Sequence, residues 1–122
     1  MRMNLAAILA AVGGAAGCTA STDLPPDTLA PQVAITAPLD GATESGGVSV
    51  DVSATDDYSV ELVRILIDGT LRGTFYTRPY HVLWSTFGLP NNTVHTIVAE
   101  AVDPSNNIGR AQISVSVFNE TQ

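Results

Sequence analysis

The sequence has no lysine, one cysteine, two histidines and only 6% aromatic residues in a chain of 122. Each shortage removes a class of chemistry. Without lysine there is no Walker-type phosphate loop, no Schiff-base nucleophile, no Ser–Lys hydrolase and no Lys–Asn isopeptide staple. With Cys18 alone, no intrachain disulfide forms. His81 and His95 stand in neither a His-x-x-x-His nor a His-Glu-x-x-His spacing, so no zinc site is expected. The serines lack a Gly-x-Ser-x-Gly elbow, and most alternate on strand faces predicted to point outward, which argues against an enzyme. Five arginines face 12 acidic residues, a net charge of −7. That balance excludes binding nucleic acid or anionic lipid through charge, since both need clustered basic side chains. The longest apolar run, Leu5–Val12, has eight residues, too short to cross a hydrocarbon core of ~30 Å as a helix.

That run belongs to a distinct N-terminal segment. Met1–Asn4 carries one positive charge, Leu5–Val12 is apolar, and Gly13, Gly14, Ala15, Ala16 and Gly17 are small, the layout of a secretory signal peptide. Residues 1–17 hold 12 of the 55 apolar residues, so the remainder has an ordinary globular composition. Ala15-Ala16-Gly17-Cys18 resembles the bacterial lipobox, whose cysteine thiol is acylated and becomes the mature N-terminus; Ala15 stands where that motif usually has Leu. The resemblance implies lipidation at Cys18 and membrane attachment through acyl chains, each buried CH₂ adding ~0.8 kcal/mol. Thr19, rather than Asp, follows the cysteine, which by the sorting rule of Gram-negative lipoproteins implies the outer membrane in such a cell. The competing readings are a plain signal peptide cleaved after Ala20, giving a secreted protein, and a retained N-terminal segment.

Residues 18–30 are small and polar with a Pro25-Pro26 pair, and read as an extended linker reaching ~40 Å. From Pro31 the pattern changes to period two. Val48, Val50, Val52 and Ala54 alternate with Ser49, Asp51 and Ser53; Ala111, Ile113, Val115 and Val117 alternate with Gln112, Ser114 and Ser116. Such alternation predicts half-buried strands. Five more are expected at Gln32–Ala37, Val60–Ile67, Leu71–Thr77, Tyr80–Ser85 and His95–Val102, with a hairpin turn at Asp68-Gly69. Seven short strands with no helical periodicity predict an all-β sandwich over residues 31–118, followed by a tail, 119–122.

Specific words sharpen the fold class. Pro31–Pro38 followed by Asp40-Gly41, Ala54–Asp57 leading into Val60, Val63 and Ile65, Pro79–Trp84, and His95–Asp103 followed by Asn107 and Gly109 together resemble bacterial Ig-like domains. The resemblance implies a seven-stranded Ig-like, fibronectin-III-like sandwich with strands A, B and E facing C, C′, F and G. Tyr80, Val82 and Trp84 are then expected in the core with Ile65, Ile67, Ile97 and Val115. Alternating strand direction gathers residues 55–59, Arg78-Pro79, residues 103–109 and the linker at one end. A lipidated Cys18 would turn that end toward the membrane.

The same end collects Asp56, Asp57, Asp103, Asn106 and Asn107, hard oxygen groups that suit Ca²⁺. No twelve-residue calcium loop is present, and Asp and Asn also build turns; the alternative is turn chemistry with Arg78 neutralising an aspartate. No other cofactor is expected. Tyr76, predicted to face outward beside Arg72 and Thr74, is the candidate for stacking on a sugar, with Phe75 in the core. Asn91-Asn92-Thr93 and Asn119-Glu120-Thr121 match the N-glycosylation pattern, which a bacterial lipoprotein leaves unused. The expectation is a non-enzymatic envelope module for adhesion, spacing or association with an unidentified protein or glycan. The alternative is an accessory domain that binds carbohydrate or calcium.

Overall fold

The computed structural model describes residues 27–120. The expected signal segment and Cys18 lie outside the described residues. Eight strands follow in chain order: β1 (Gln32–Ala37), β2 (Thr43–Glu44), β3 (Gly47–Thr55), β4 (Leu62–Ile67), β5 (Thr70–Phe75), β6 (Tyr80–Ser85), β7 (Thr93–Val102) and β8 (Ile108–Val117). They form two sheets, ordered β1-β3-β6 and β2-β8-β7-β4-β5.

The burial of β3 alternates along its length, as the Val/Ser/Asp sequence requires. Val50 meets Val63, Ile65, Ile67, Ile97, Val115 and Val117 in one core, all at most 1% exposed. Burying each of these side chains stabilises the fold by roughly 1.5–3 kcal/mol. Tyr80 and Trp84 of β6 are buried on the same side and His81 is exposed between them, matching the expected parity. Asp68 and Gly69 have φ of 52° and 81°, the paired left-handed conformation that a two-residue hairpin needs.

Three local expectations need correction. The eighth strand, β2, was not expected. After Pro38 the chain leaves the β1–β3 sheet and runs parallel to β8, with Gly41 N donating to Ser114 O and Ser116 N donating to Ala42 O. Two residues carry no periodicity, so nothing in the local sequence announces the change of sheet. Leu71 shares parity with Phe75 and should point inward. Instead the pairing steps from Ile65↔Gly73 to Leu66↔Leu71, leaving Arg72 as an extra residue on β5. That bulge turns Leu71 outward, 52% exposed, while Phe75 packs on the core as expected. Asn119, assigned to the tail, is buried at 4% exposure, so the domain runs one residue beyond 118.

Gly109 lies where the start of β1 crosses β8. A Cβ there would sit 2.1 Å from the Pro31 carbonyl oxygen, so only glycine lets the two backbones approach. This contact brings residues 27–31 to the β7–β8 loop and positions the candidate site.

Candidate functional site at the loop end

Two loops and the segment before β1 build this end: the β3–β4 loop (residues 56–61), the β7–β8 loop (residues 103–107), and residues 27–30. Asp103 organises the second loop. Its side chain is 1% exposed, with Oδ1 accepting from the backbone N–H groups of Ser105 and Asn107, each at 2.9 Å. Oδ2 accepts from the Asn107 side-chain amide at 2.9 Å. Burial opposes its charge, but these donors prevail and hold the carboxyl below its ordinary value of 3.8. Asn106, with φ of 67°, completes the turn. Asn107 Nδ2 also donates to the Asp27 carbonyl at 2.8 Å, fixing the preceding segment to the loop.

Asp27, Asp56 and Asp57 converge there. Each offers one carboxylate oxygen, and these three oxygens all lie within 4.8 Å of one another. Asp27 Oδ1 accepts from Leu29 N at 3.1 Å and Asp56 Oδ2 from Tyr58 N at 3.3 Å, local turns of the kind aspartate favours. The second oxygen of each, Asp27 Oδ2 and Asp56 Oδ1, is sealed from water and accepts no hydrogen bond. Burial raises the Asp27 carboxyl above 3.8; a side-chain hydrogen bond to Asp103 and the charges of Asp103 and Asp57 push it the same way, while the Leu29 N–H opposes them. The expected neutralisation by Arg78 does not occur: among the described residues Arg78 makes no ion pair. It lines a hollow on the β3–β6 face with Asp51 and His81.

The structure therefore brings Asp56, Asp57 and Asp103 to one end, as expected, but assigns Asn107 the part of a donor that fastens Asp103 and residue 27. Asp27 was missed, because its segment reads as a linker. Its signal was weak: an aspartate two residues before Leu29, the spacing of a side-chain turn.

A second constellation joins the β4–β5 turn to β7. His95 Nδ1 lies 2.6 Å from Asp68 Oδ2, and His95 Nε2 lies 2.8 Å from Thr93 Oγ1. The Thr93 hydroxyl donates to Pro90 O at 2.7 Å, and the His95 ring meets Trp84 edge-on at 5.5 Å between centroids. With its proton given to a backbone carbonyl, the hydroxyl braces a loop. Tyr76 is 67% exposed, as expected of an outward residue.

A three-stranded sheet packed on a five-stranded one, with the first strand contributing to both through β1 and β2, defines an immunoglobulin-like sandwich. Residues 31–99 match the bacterial Ig domain family, and the chain belongs to that family. Among solved structures it is similar to the fibronectin(III)-like modules of Clostridium thermocellum CbhA, with a TM-score of 0.56 and 25% identity. That match covers 73% of this chain and 46% of the other. The endo-β-1,4-mannanase of Thermotoga petrophila shares the fold, with a TM-score of 0.60 and 17% identity over 77% of this chain and 21% of that one. The chain thus spans less than half the length of either. No curated protein matches the sequence.

Proposed function

We propose that the chain is a non-catalytic Ig-like module, anchored by acyl chains on Cys18 and held at the cell envelope as a spacer or protein-association domain. The observation that carries this reading is the order of its parts: an apolar N-terminal run followed by the lipobox-like Ala15-Ala16-Gly17-Cys18, then a bacterial Ig domain. The charge pattern supports lipid as the means of attachment. Downstream of Cys18 there are four arginines and no lysine, and Arg64 and Arg110 are both committed to Glu100. Too few cations are left to hold an anionic membrane surface. Association through backbone pairing is available at the outer strands β5 and β6, since an uncovered sheet edge accepts an added strand.

Residues 18–26 reach about 30 Å when extended, and Asp27 is fastened to the loop end. The domain would then present that end toward the membrane and the β4–β5 turn away from it. Membrane fractionation of cells producing the wild-type chain and Cys18→Ala tests the reading. The wild type is expected in the membrane fraction with incorporated labelled palmitate, and the variant in the soluble fraction without label. Unchanged fractionation of the variant would overturn it.

A further inference from the structure

Four strands lie at sheet edges, β1 and β6 in one sheet and β2 and β5 in the other. An exposed edge invites pairing with another chain, and proteins blunt it with bulges, charges, proline or brevity. β2 has two residues, and β5 carries the bulge at Arg72 followed by Gly73. β1 breaks register between Ile35 and Ala37, and Pro31 and Pro38 bracket it. β6 has none of these devices. Tyr80–Ser85 holds no acidic residue, arginine, proline or glycine, and pairs with β3 in unbroken register.

The core is also left open along that edge. Val82 shares the inward parity of Tyr80 and Trp84, which are 7% and 2% exposed, yet Val82 itself is only half-buried. Phe75 of β5, half-buried as well, lies against the same opening: a Cβ on Gly73 would touch both side chains. On the outer face Leu83 is 77% exposed, more than any other large apolar side chain described. A strand laid along β6 covers Val82 from the side and shields Leu83.

We infer that β6 pairs with β6 of a second copy, antiparallel about a two-fold axis, joining two three-stranded sheets into one of six strands. The ends of the strand favour a copy over an unrelated segment. Opposed residues of an antiparallel pair point to the same face, so the registers that pair most of β6 centre on Val82 or Leu83. These bring Arg78 level with the partner's Thr86 or the partner's Gly88, on either side of the partner's Phe87. Arg78 makes no ion pair among the described residues, Phe87 is 68% exposed, and Glu120 lines a hollow with Phe87. A cation thus meets an aromatic ring and a carboxylate, and the two-fold makes the contact twice. A chain of net charge −7 repels its own copy, and β6 is a strip with no acidic residue through which the two can meet. Such pairing gives the proposed association a partner; it rests on that reading and not on lipidation of Cys18. Because the strands run antiparallel, the two entering segments leave at opposite ends, an arrangement suited to joining two facing surfaces.

Sedimentation equilibrium of the full chain carrying Cys18→Ala, which removes any disulfide between copies, tests the pairing. A monomer–dimer equilibrium is expected with Kd of roughly 10⁻⁴ M, since so short an edge buries less than a standard interface. Amides of β6 should gain protection from hydrogen exchange as concentration rises through Kd. Leu83→Glu should weaken the dimer about tenfold or more, because both registers bring the two glutamates close to the axis. Its side chain is exposed, so the dilute variant should melt within about 2 °C of the parent. Arg78→Ala should weaken it about fivefold through two lost contacts. Leu71→Glu, on the blunted edge of β5, should dimerise like the parent. A monomer at about 1 mM, well above that Kd, would overturn the pairing. With β6 amides already protected, another segment of this chain covers the edge; with them unprotected, the edge is left to a different protein. Equal dimerisation by Leu83→Glu, or a mass beyond that of a dimer, would overturn it as well. Membrane fractionation reports on Cys18 separately, so either reading can fail alone.

Discussion

The side-chain amide of Asn107 donates to the Asp27 carbonyl at 2.8 Å, joining residues 80 positions apart in sequence. The same nitrogen donates to Asp103 Oδ2 at 2.9 Å, so one side chain fastens the β7–β8 loop and the segment that enters the domain. Asn107→Ala removes both bonds while the backbone donors to Asp103 persist. The expected cost is about 2 kcal/mol, because a buried carboxylate oxygen loses its donor. Hydrogen exchange checks the location of the effect. Protection should fall at residues 27–30 and in the β7–β8 loop, while the amides of β4 and β7 keep their wild-type protection. Unchanged exchange at residues 27–30 would show that this segment is held by other contacts.

Asp27 also marks the boundary of what the sequence discloses. The core was legible because β strands impose a strict period: Val48 to Ala54 and Ala111 to Val117 alternate, and Tyr80 and Trp84 share a parity that the structure honours. The turn at Asp68-Gly69 was legible because few residues tolerate positive φ. Asp56, Asp57 and Asp103 were gathered at one end by alternating strand direction within the Ig-like strand order that the resemblance implies. Asp27 escaped because its place depends on Asn107, far along the chain, and its neighbours have the composition of a linker. Leu71 escaped because one bulge residue, Arg72, reverses the parity of a whole strand end. β2 escaped because its partner is set by where the chain changes sheets, which two residues cannot encode.

Asn119 closes the opposite end of the sandwich. Its Oδ1 accepts from Gly46 N at 2.8 Å, and its Nδ2 donates to Thr86 O at 3.1 Å. Its backbone N–H donates to Asn91 Oδ1 at 2.7 Å, and Asn91 Nδ2 donates back to Asn119 O at 2.9 Å. Both asparagines of the glycosylation-like words therefore serve a polar plug. Asn119→Ala leaves Gly46 N and Thr86 O without this partner in a buried site, at an expected cost of about 2 kcal/mol. For a domain near this size that lowers the melting temperature by about 10 °C. Asn119→Asp should cost more, since it faces the Thr86 carbonyl with a second acceptor. Urea denaturation measures both; a change within about 0.5 kcal/mol would place Asn119 among ordinary surface positions.

Glu100 makes stability depend on pH in a direction that follows from its neighbours. The registers of β4, β7 and β8 place Arg64, Glu100 and Arg110 in one row across three strands. Arg110 Nε donates to Glu100 Oε2 at 2.7 Å and Arg64 Nε to Oε1 at 3.2 Å. The Arg110 bond is the main cause holding the carboxyl below its ordinary 4.5; burial opposes it and Arg64 reinforces it. Because the folded value is depressed, the stabilisation is fully present above 4.5 and is lost as pH falls through the lower folded value. Asp68 behaves likewise. Burial opposes its ionisation, but His95 and the Thr96 N–H prevail and set it below 3.8. Glu100→Gln should cost about 1 kcal/mol at pH 7, the scale of a partly exposed cross-strand pair. The gap between variant and wild type should be smaller at about pH 3, below the ordinary carboxylate value, than at pH 7. Urea unfolding of both proteins at the two pH values measures it. A gap equal at both would mean that the row of charges contributes packing alone.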